Sequence, residues 1–426
     1  MTTPAKDFPM IGKAAAKSFQ ALEKSRELPK GWRWVKLGEV CEIVSGTTPK
    51  SAVSQYWNGE IVWITPTDLG KLDDRYVTNS DRRISKDGYG SCNLTMVPVG
   101  SVVLSSRAPI GHLGIAAVPL CTNQGCKTFV PGAKVDSEFL YHALKRSVWE
   151  LQQMGSGATF AEVSKTQLEG FEIPLPPLPE QKRIAAILNE QMAAVERARK
   201  AAEERLAAVN DLPSAYLRAV FPAPGQPLLE GWRWVKLGEV CEKHTGVRDP
   251  RTDPDREFRY IDISSVDSTR KRIVEAKTLL GKDAPSRARQ VILENDVIVA
   301  TTRPNLNAVA IVPPELNNHI CSTGFCVLRA TDRIVPDFLF AFVRHESFVK
   351  ALSDLVKGAL YPAVNDKQVK AVTIPLPPLP EQKRIAAILN EQMAAVERAR
   401  KAAEGELEAI NTLPAALLRR AFNGGL

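Results

Sequence analysis

Two short stretches carry residue types suited to phosphate or guanine. Ser105-Ser106-Arg107 and Thr301-Thr302-Arg303 each close an apolar run, VVLSSRAPIGHLGIA (Val102–Ala116) and VIVATTRPNLNAVAIV (Val297–Val312). A guanidinium donates through a planar fork that fits a phosphate or the O6/N7 edge of guanine, and small hydroxyls beside it add donors. Laid against each other, the runs place Arg107 beside Arg303. The same hydroxyls serve equally well as caps of a strand-to-loop turn, and both readings stand. Thr67, Lys71, Asn123 and Gln124 in the first half, and Arg287, Arg289, Asn305 and Tyr361 in the second, are the further candidates for contacts of this kind.

Catalytic chemistry finds little support. Pro254-Asp255 followed by Glu275-Ala276-Lys277 matches the carboxylates and lysine with which many nucleases hold Mg²⁺ and activate water. Pro254-Asp255, however, sits in DPRTDPDREF, a stretch with the composition of a loop. Val312-Pro313-Pro314-Glu315 lacks both ends of the Asn/Asp-Pro-Pro-aromatic loop of an amino-methyltransferase, and Gly155–Gly157 is too short a glycine pattern to count. The five histidines have no ligand spacing. Cys121/Cys126 and Cys321/Cys326 lack a second pair of ligands and read as buried small hydrophobes among seven free thiols. No catalytic residue and no metal site is expected. The net charge of +8 points to a polyanionic partner, nucleic acid ahead of membrane. With no signal-peptide layout in MTTPAKDFPM and no apolar run of spanning length, a soluble cytoplasmic protein is expected.

The elements that must position these residues come in duplicate. IPLPPLPEQKRIAAILNEQMAAVERARKAAE occupies Ile173–Glu203 and recurs without a change at Ile374–Glu404; GWRWVKLGEVCE occupies Gly31–Glu42 and again Gly231–Glu242. Between these blocks the halves have drifted apart, so the chain reads as a tandem repeat with fixed segments framing variable ones. The variable parts alternate β-rich runs with turn residues and end in helical stretches, SEFLYHALKRSVWELQQM and FLFAFVRHESFVKALSDL, an α+β pattern. The expected division is an N-terminal helical segment (1–30, with a helix at Ile11–Leu28), a first variable domain (31–172), a first long helix (173–222), a second variable domain (223–373) and a second long helix (374–426).

The prolines of IPLPPLP force an extended segment, and Pro179 suits a first helical turn, where its missing N–H costs nothing. Glu180 and Gln181 then lie by the positive helix end. The helix is expected from Pro179 to Asn210, stopped by Pro213. Its apolar seam includes Ile184, Leu188, Val195, Ala202 and Leu206, repeated as Ile385, Leu389, Val396, Ala403 and Leu407, with Ala198 and Ala202 letting a partner approach. Two such helices are expected to pair antiparallel, coiled-coil-like, about a pseudo-two-fold axis, in a circular arrangement that brings the chain ends together. Their solvent faces match as well: Arg183, Glu190, Arg197 and Lys200 recur as Arg384, Glu391, Arg398 and Lys401. Two copies of one docking partner would account for that identity.

This doubled PPLPEQ-helix block, with LSSRAPIGHLGIA and TNQGCK in the first half and YIDISSVD, APSRARQ and STGF in the second, resembles the DNA-specificity subunit of type I restriction-modification systems over nearly the whole chain. The resemblance implies two target-recognition domains, each reading one half of a bipartite double-stranded DNA target, separated by helices that set the spacer. It implies two docked modification (methyltransferase) subunits that use S-adenosylmethionine, which two restriction subunits bringing ATP and Mg can join. It implies no catalysis and no cofactor on this chain. A stand-alone DNA-binding scaffold and a Mg-dependent nuclease are the alternatives.

Overall fold

Each half is closed by an antiparallel ribbon made from the two repeated blocks. Arg33–Lys36 pairs with Glu172–Leu175, Val35 opposite Ile173; Arg233–Lys236 pairs with Thr373–Leu376, Val235 opposite Ile374. Val35, Ile173 and Leu175 go into the core, as do Val235, Ile374 and Leu376. A two-stranded ribbon has free edges, which is why proline is tolerated in it.

The computed structural model describes residues 28–155, 161–223, 226–358 and 360–426. The helix expected at Ile11–Leu28 falls, but for Leu28, outside that range. The fold divides into two units, one of the described residues up to Ala201 together with Leu407–Leu426, the other of Ala202–Glu406. This division cuts through the long helices, whereas the division expected from sequence gives each helix a segment of its own.

The first unit has a five-stranded sheet in the order Cys41–Ser45, Cys126–Pro131, Val102–Ser105, Leu113–Ala116, Tyr76–Val77, and a three-stranded sheet in the order Arg83–Ile84, Trp57–Ile64, Leu120–Thr122. The second unit repeats the plan. Val297–Ala300 lies between Val309–Ile311 and Phe325–Leu328, and Glu257–Ile261 runs parallel to His319–Ser322 just as Trp57–Ile64 does to Leu120–Thr122. The single helices expected after these sheets are each two. Ser137–Arg146 breaks at Ser147 before Val148–Gly155. Pro336–Val343 gives way to Glu346–Asp354 at His345, whose ring nitrogen caps the second helix by accepting from the Ser347 N–H.

The long helices run Leu178–Val220 and Leu379–Phe422, 43 and 44 residues. They pass through Pro213 and Pro414 instead of stopping there. A proline inside a helix removes one hydrogen bond, but the turns beyond it bury large side chains. Leu217 and Phe221 enter the core of the second unit with Ile385 and Leu389; Leu418, Ala421 and Phe422 enter that of the first with Ile184 and Leu188. The start of one helix thus packs with the end of the other, and within each unit they run in opposite directions. Ala202, Val396 and Ala403 are buried, Val195, Leu206 and Leu407 half-buried, and Ala198 faces solvent. Arg205 pairs with Glu406 at 2.5 Å. In the first unit Pro29 lies against Gly424.

One residue per unit fastens the helix to its domain. Gln181 is fully buried; its Nε2 donates to the carbonyls of Pro176 (2.8 Å) and Lys134 (3.0 Å), and its Oε1 accepts from the Asp136 N–H (2.9 Å). Gln382 repeats this with Pro377 (2.9 Å), Arg333 (3.2 Å) and Val335 (2.8 Å). Asp136 and Val335 each precede the helix that lies on the sheet, and Asp136 caps it by accepting from the Glu138 and Phe139 N–H groups. Replacing Gln181 by Leu orphans all three backbone groups, each costing about 1–3 kcal/mol when buried. Gln181→Leu is therefore expected to destabilise the first unit by roughly 3 kcal/mol or more and leave the second unchanged, and Gln382→Leu the reverse, read by native-state hydrogen exchange. A loss spread equally over both units would contradict this.

Candidate nucleic-acid interface

In the first unit three loops meet where strands Trp57–Ile64, Val102–Ser105 and Leu120–Thr122 end. Their closeness is shown at Gly125: a Cβ there would lie 2.9 Å from Pro66, 3.2 Å from the Asn123 amide oxygen and 3.3 Å from Arg107 Nε. Gly46 is tighter still, since a Cβ would fall 2.0 Å from the Asn123 carbonyl. Thr65 caps the turn Pro66–Gly70 by accepting from the Asp68 N–H, while buried Asp68 accepts from the Thr65 N–H at 2.8 Å and the Asp81 N–H at 2.9 Å. This holds Thr67 and Lys71 exposed on the turn, with Lys71 paired to Asp81. Asn123 spends its side-chain oxygen on the Gly125 N–H at 2.9 Å, and exposed Gln124 accepts from Thr48.

Arg107 and Lys127 share one carboxylate, Glu162, at 3.8 and 3.4 Å. The Glu162 backbone bridges that of Arg107. Two cations on one anion leave this trio with one positive charge in excess, which suits a phosphate. Lys127 and Glu162 were not singled out from the sequence, and nothing in their spacing marks them; only the fold brings them beside Arg107.

The second unit builds the same edge from other residues. The Ser106 N–H donates to the Gly125 carbonyl and Thr301 to Gly324, both at 2.8 Å. Ser106 O accepts from Val163 (3.0 Å), Thr301 O from Val364 (2.8 Å), and the next pairs, Arg107 with Glu162 and Thr302 with Ala363, are bridged. Arg107 therefore corresponds to Thr302, one residue before the position expected from the sequence. Arg303 takes the place of Ala108, and both have left-handed backbone, φ 50° and 52°.

The hydroxyls also change role. Ser105, Ser106 and Thr301 are buried, with Oγ donating to the carbonyls of Pro109 (2.7 Å), Gly125 (3.2 Å) and, for Thr301, Gly324 (2.9 Å). They hold the loops and are out of reach of DNA, so the capping reading applies to these three. Thr302 is half-buried; Arg287, Arg303, Asn305 and Tyr361 are exposed. Arg289 is tied to Asp249 at 2.9 Å.

The nuclease pattern does not assemble. Lys277 is held by Asp262 at 2.5 Å, and among the described residues no group of three or more His, Cys, Asp or Glu could hold a metal ion. All seven cysteines are free thiols, Cys92 half-buried and the others buried; burial pushes Cys121 and Cys126 up to about 12, so they stay protonated. No described helix is long and apolar enough to cross a membrane.

Comparison with known proteins agrees with this geometry. The family described as "Type I restriction modification DNA specificity domain" matches residues 29–204 and again 229–404. The type I restriction enzyme MjaIX specificity subunit of Methanocaldococcus jannaschii is 27% identical over 372 residues, covering 83% of this chain and 85% of that protein. The EcoDI specificity subunit of Escherichia coli is 21% identical over 430 residues, 94% of this chain and 90% of its own length. The fold is similar to that of the HsdS subunit from Thermoanaerobacter tengcongensis, with a TM-score of 0.62 at 24% identity over 95% of this chain and all of that one. A further solved chain, from work on complex assembly and conformational transition of the type I R-M system, reaches 0.76 at 24% identity, over 94% of this chain and all of its own.

Asp262, the counterpart of Thr65 at the second edge, gives the interface a titratable turn. Burial raises its pKa, but hydrogen bonds from Lys277, Ser264 and Ser265 outweigh this and bring it to about 2. A carboxylate depressed in the fold adds stability above its unfolded value of about 3.9 and loses it as pH falls. Protection of the Ile263–Ser265 turn is therefore expected to be flat at neutral pH and to fade between about pH 4 and 2. Asp262→Asn should remove that dependence; an unchanged acid profile in the variant would refute the assignment.

Proposed function

Because the chain belongs to the family of type I restriction-modification DNA-specificity proteins, we propose that its two reading edges each bind one half of a bipartite DNA target. The chain is a DNA-recognition subunit, not a catalytic one, and it acts on DNA together with other restriction-modification subunits. The observation that carries the half-site reading is the repetition of one frame around two differently furnished edges: the ribbon, the glutamine clamp and the loop after the central strand recur, while the exposed side chains on the loops differ.

In this reading Thr67, Lys71, Arg107, Asn123 and Gln124 meet one half-site. Arg287, Arg289, Thr302, Arg303, Asn305 and Tyr361 meet the other. The long helices, joined through both units without a break, fix the gap between the halves. Their repeated solvent faces receive two modification subunits, which bring S-adenosylmethionine, and restriction subunits bring ATP and Mg where they join. The Ile184, Leu188, Val195, Ala202, Leu206 seam and its second copy then serve the pairing of the helices.

Methylation-site sequencing of a host carrying this gene and its neighbours tests the core of the proposal. A split, asymmetric target should appear, and only when a methyltransferase partner is expressed with this chain; a continuous or absent target would overturn it. Arg107→Ala should weaken binding about 5- to 150-fold for targets containing the first half-site, the effect of losing one good Arg contact, and leave targets with that half scrambled unaffected. Inserting four residues near Ala201 adds about one helical turn, roughly 6 Å. The mapped gap should lengthen; a target that keeps its original spacing would show that the helices do not set it.

A further inference from the structure

The corner of the second unit that carries Arg303 also carries the most exposed large apolar side chains among the described residues. Leu360 is 88% and Tyr361 87% exposed, and Leu306, three residues beyond Arg303, is 52% exposed. The backbone here is tightly held. The Arg303 N–H donates to the Pro362 carbonyl at 2.8 Å, Val364 donates to Thr301 at 2.8 Å, and Thr302 and Ala363 are bridged. The turn Pro304–Leu306 packs on the helix Glu346–Asp354, which leads towards Leu360. Tyr361 therefore stands one residue before a segment paired to the Arg303 backbone, and the Arg303 guanidinium has no hydrogen-bond or ion-pair partner among the described residues.

The arrangement has a sequence counterpart in the other half. Val163 donates to Ser106 as Val364 does to Thr301, and the residue three places before Val163 is Phe160, as Tyr361 is before Val364. Phe160 lies outside the described residues. An aromatic residue is thus kept at this point in two domains that otherwise share little. Two adjacent apolar side chains left in water gain by burial, and a free arginine beside them favours an anionic partner over an apolar protein surface. Apolar side chains that enter a base step unstack it at a cost of a few kcal/mol, offset by the new contacts.

We propose that Leu360 and Tyr361 form a wedge that enters and unstacks a base step of the half-site bound by the second unit, while Arg303 holds the adjoining phosphate. The inference rests on the reading of the two units as DNA readers. The test uses the full chain assembled with its methyltransferase partner on the mapped target, with 2-aminopurine at successive positions of the second half-site other than the methylated base. One step should brighten with the unaltered protein. Leu360→Ala/Tyr361→Ala should abolish that signal and weaken binding about tenfold, in line with the loss of one stacked aromatic. Affinity for a target with a scrambled second half should not change. Tyr361→Phe should keep the signal, because the ring and not the hydroxyl does the unstacking. If the double variant keeps the brightening, or no longer assembles with the methyltransferase, the wedge is overturned. If the unaltered complex binds the mapped target but no step brightens, the wedge alone fails. If it does not distinguish the mapped from a scrambled target, the DNA-reader reading fails first.

Discussion

The buried amide of Gln181, with its twin Gln382, is the interaction on which the rest of each unit depends. It joins the proline segment, the loop before the capped helix on the sheet, and the first turn of the long helix. A glutamine is suited to this because one side chain offers two donors and an acceptor in a fixed plane. In a fully buried place, the alternative to these bonds is three orphaned backbone groups. The angle at which a variable domain leaves its helix is set there, and the ribbon beneath it fixes where that domain begins and ends.

Above this frame the two reading edges differ in side chains while agreeing in backbone. Both place a loop with a left-handed residue after the central strand, at Ala108 and Arg303, and both hold it by a buried hydroxyl on a glycine carbonyl. The electrostatic character diverges. The first edge shares Glu162 between two cations, whereas the second presents Arg303 unpaired among the described residues near exposed Tyr361 and keeps a lysine, Lys271, half-buried. Burial and the nearby Arg344 bring Lys271 down to about 8, and its ammonium donates to the Asn307 carbonyl at 2.6 Å. One scaffold therefore presents two surfaces of different chemistry without altering its hydrogen-bond frame.

Much of this was legible in the residues. The duplication, the variable parts, the helix start at the proline segment and the buried cysteines follow from identity, periodicity and proline chemistry. What was not legible has physical reasons. Pro213 reads as a stop by local propensity, and only the cores awaiting Leu217 and Phe221 carry the helix past it. The one-residue offset of Arg303 depends on where hydrogen bonds to Gly125 and Gly324 fall, which loose alignment of two apolar runs does not fix. Ser105, Ser106 and Thr301 have the chemistry to touch a phosphate, yet burial decides their role. Gln181 stood out in the sequence only as part of a repeated word by a helix end; its three backbone bonds are made to residues far from it in the chain.

The closing ribbon carries one more consequence, for how the chain finds its fold. Its strands are the same in both halves except at one position: Lys36 faces Glu172, whereas Lys236 faces Thr373. The strand at Arg33 would accept Ile374–Leu376 almost as well as Ile173–Leu175, and a single cross-strand charge pair is worth only about 0.2–1 kcal/mol. Closing a loop of about 340 residues instead of about 140 costs only about 0.8 kcal/mol more in chain entropy. Side chains and connectivity together thus discriminate weakly between the right partner and its duplicate. In vectorial synthesis the first ribbon can zip before the second copy of its partner has left the ribosome, because Ile173–Leu175 precedes Ile374–Leu376 by 201 residues.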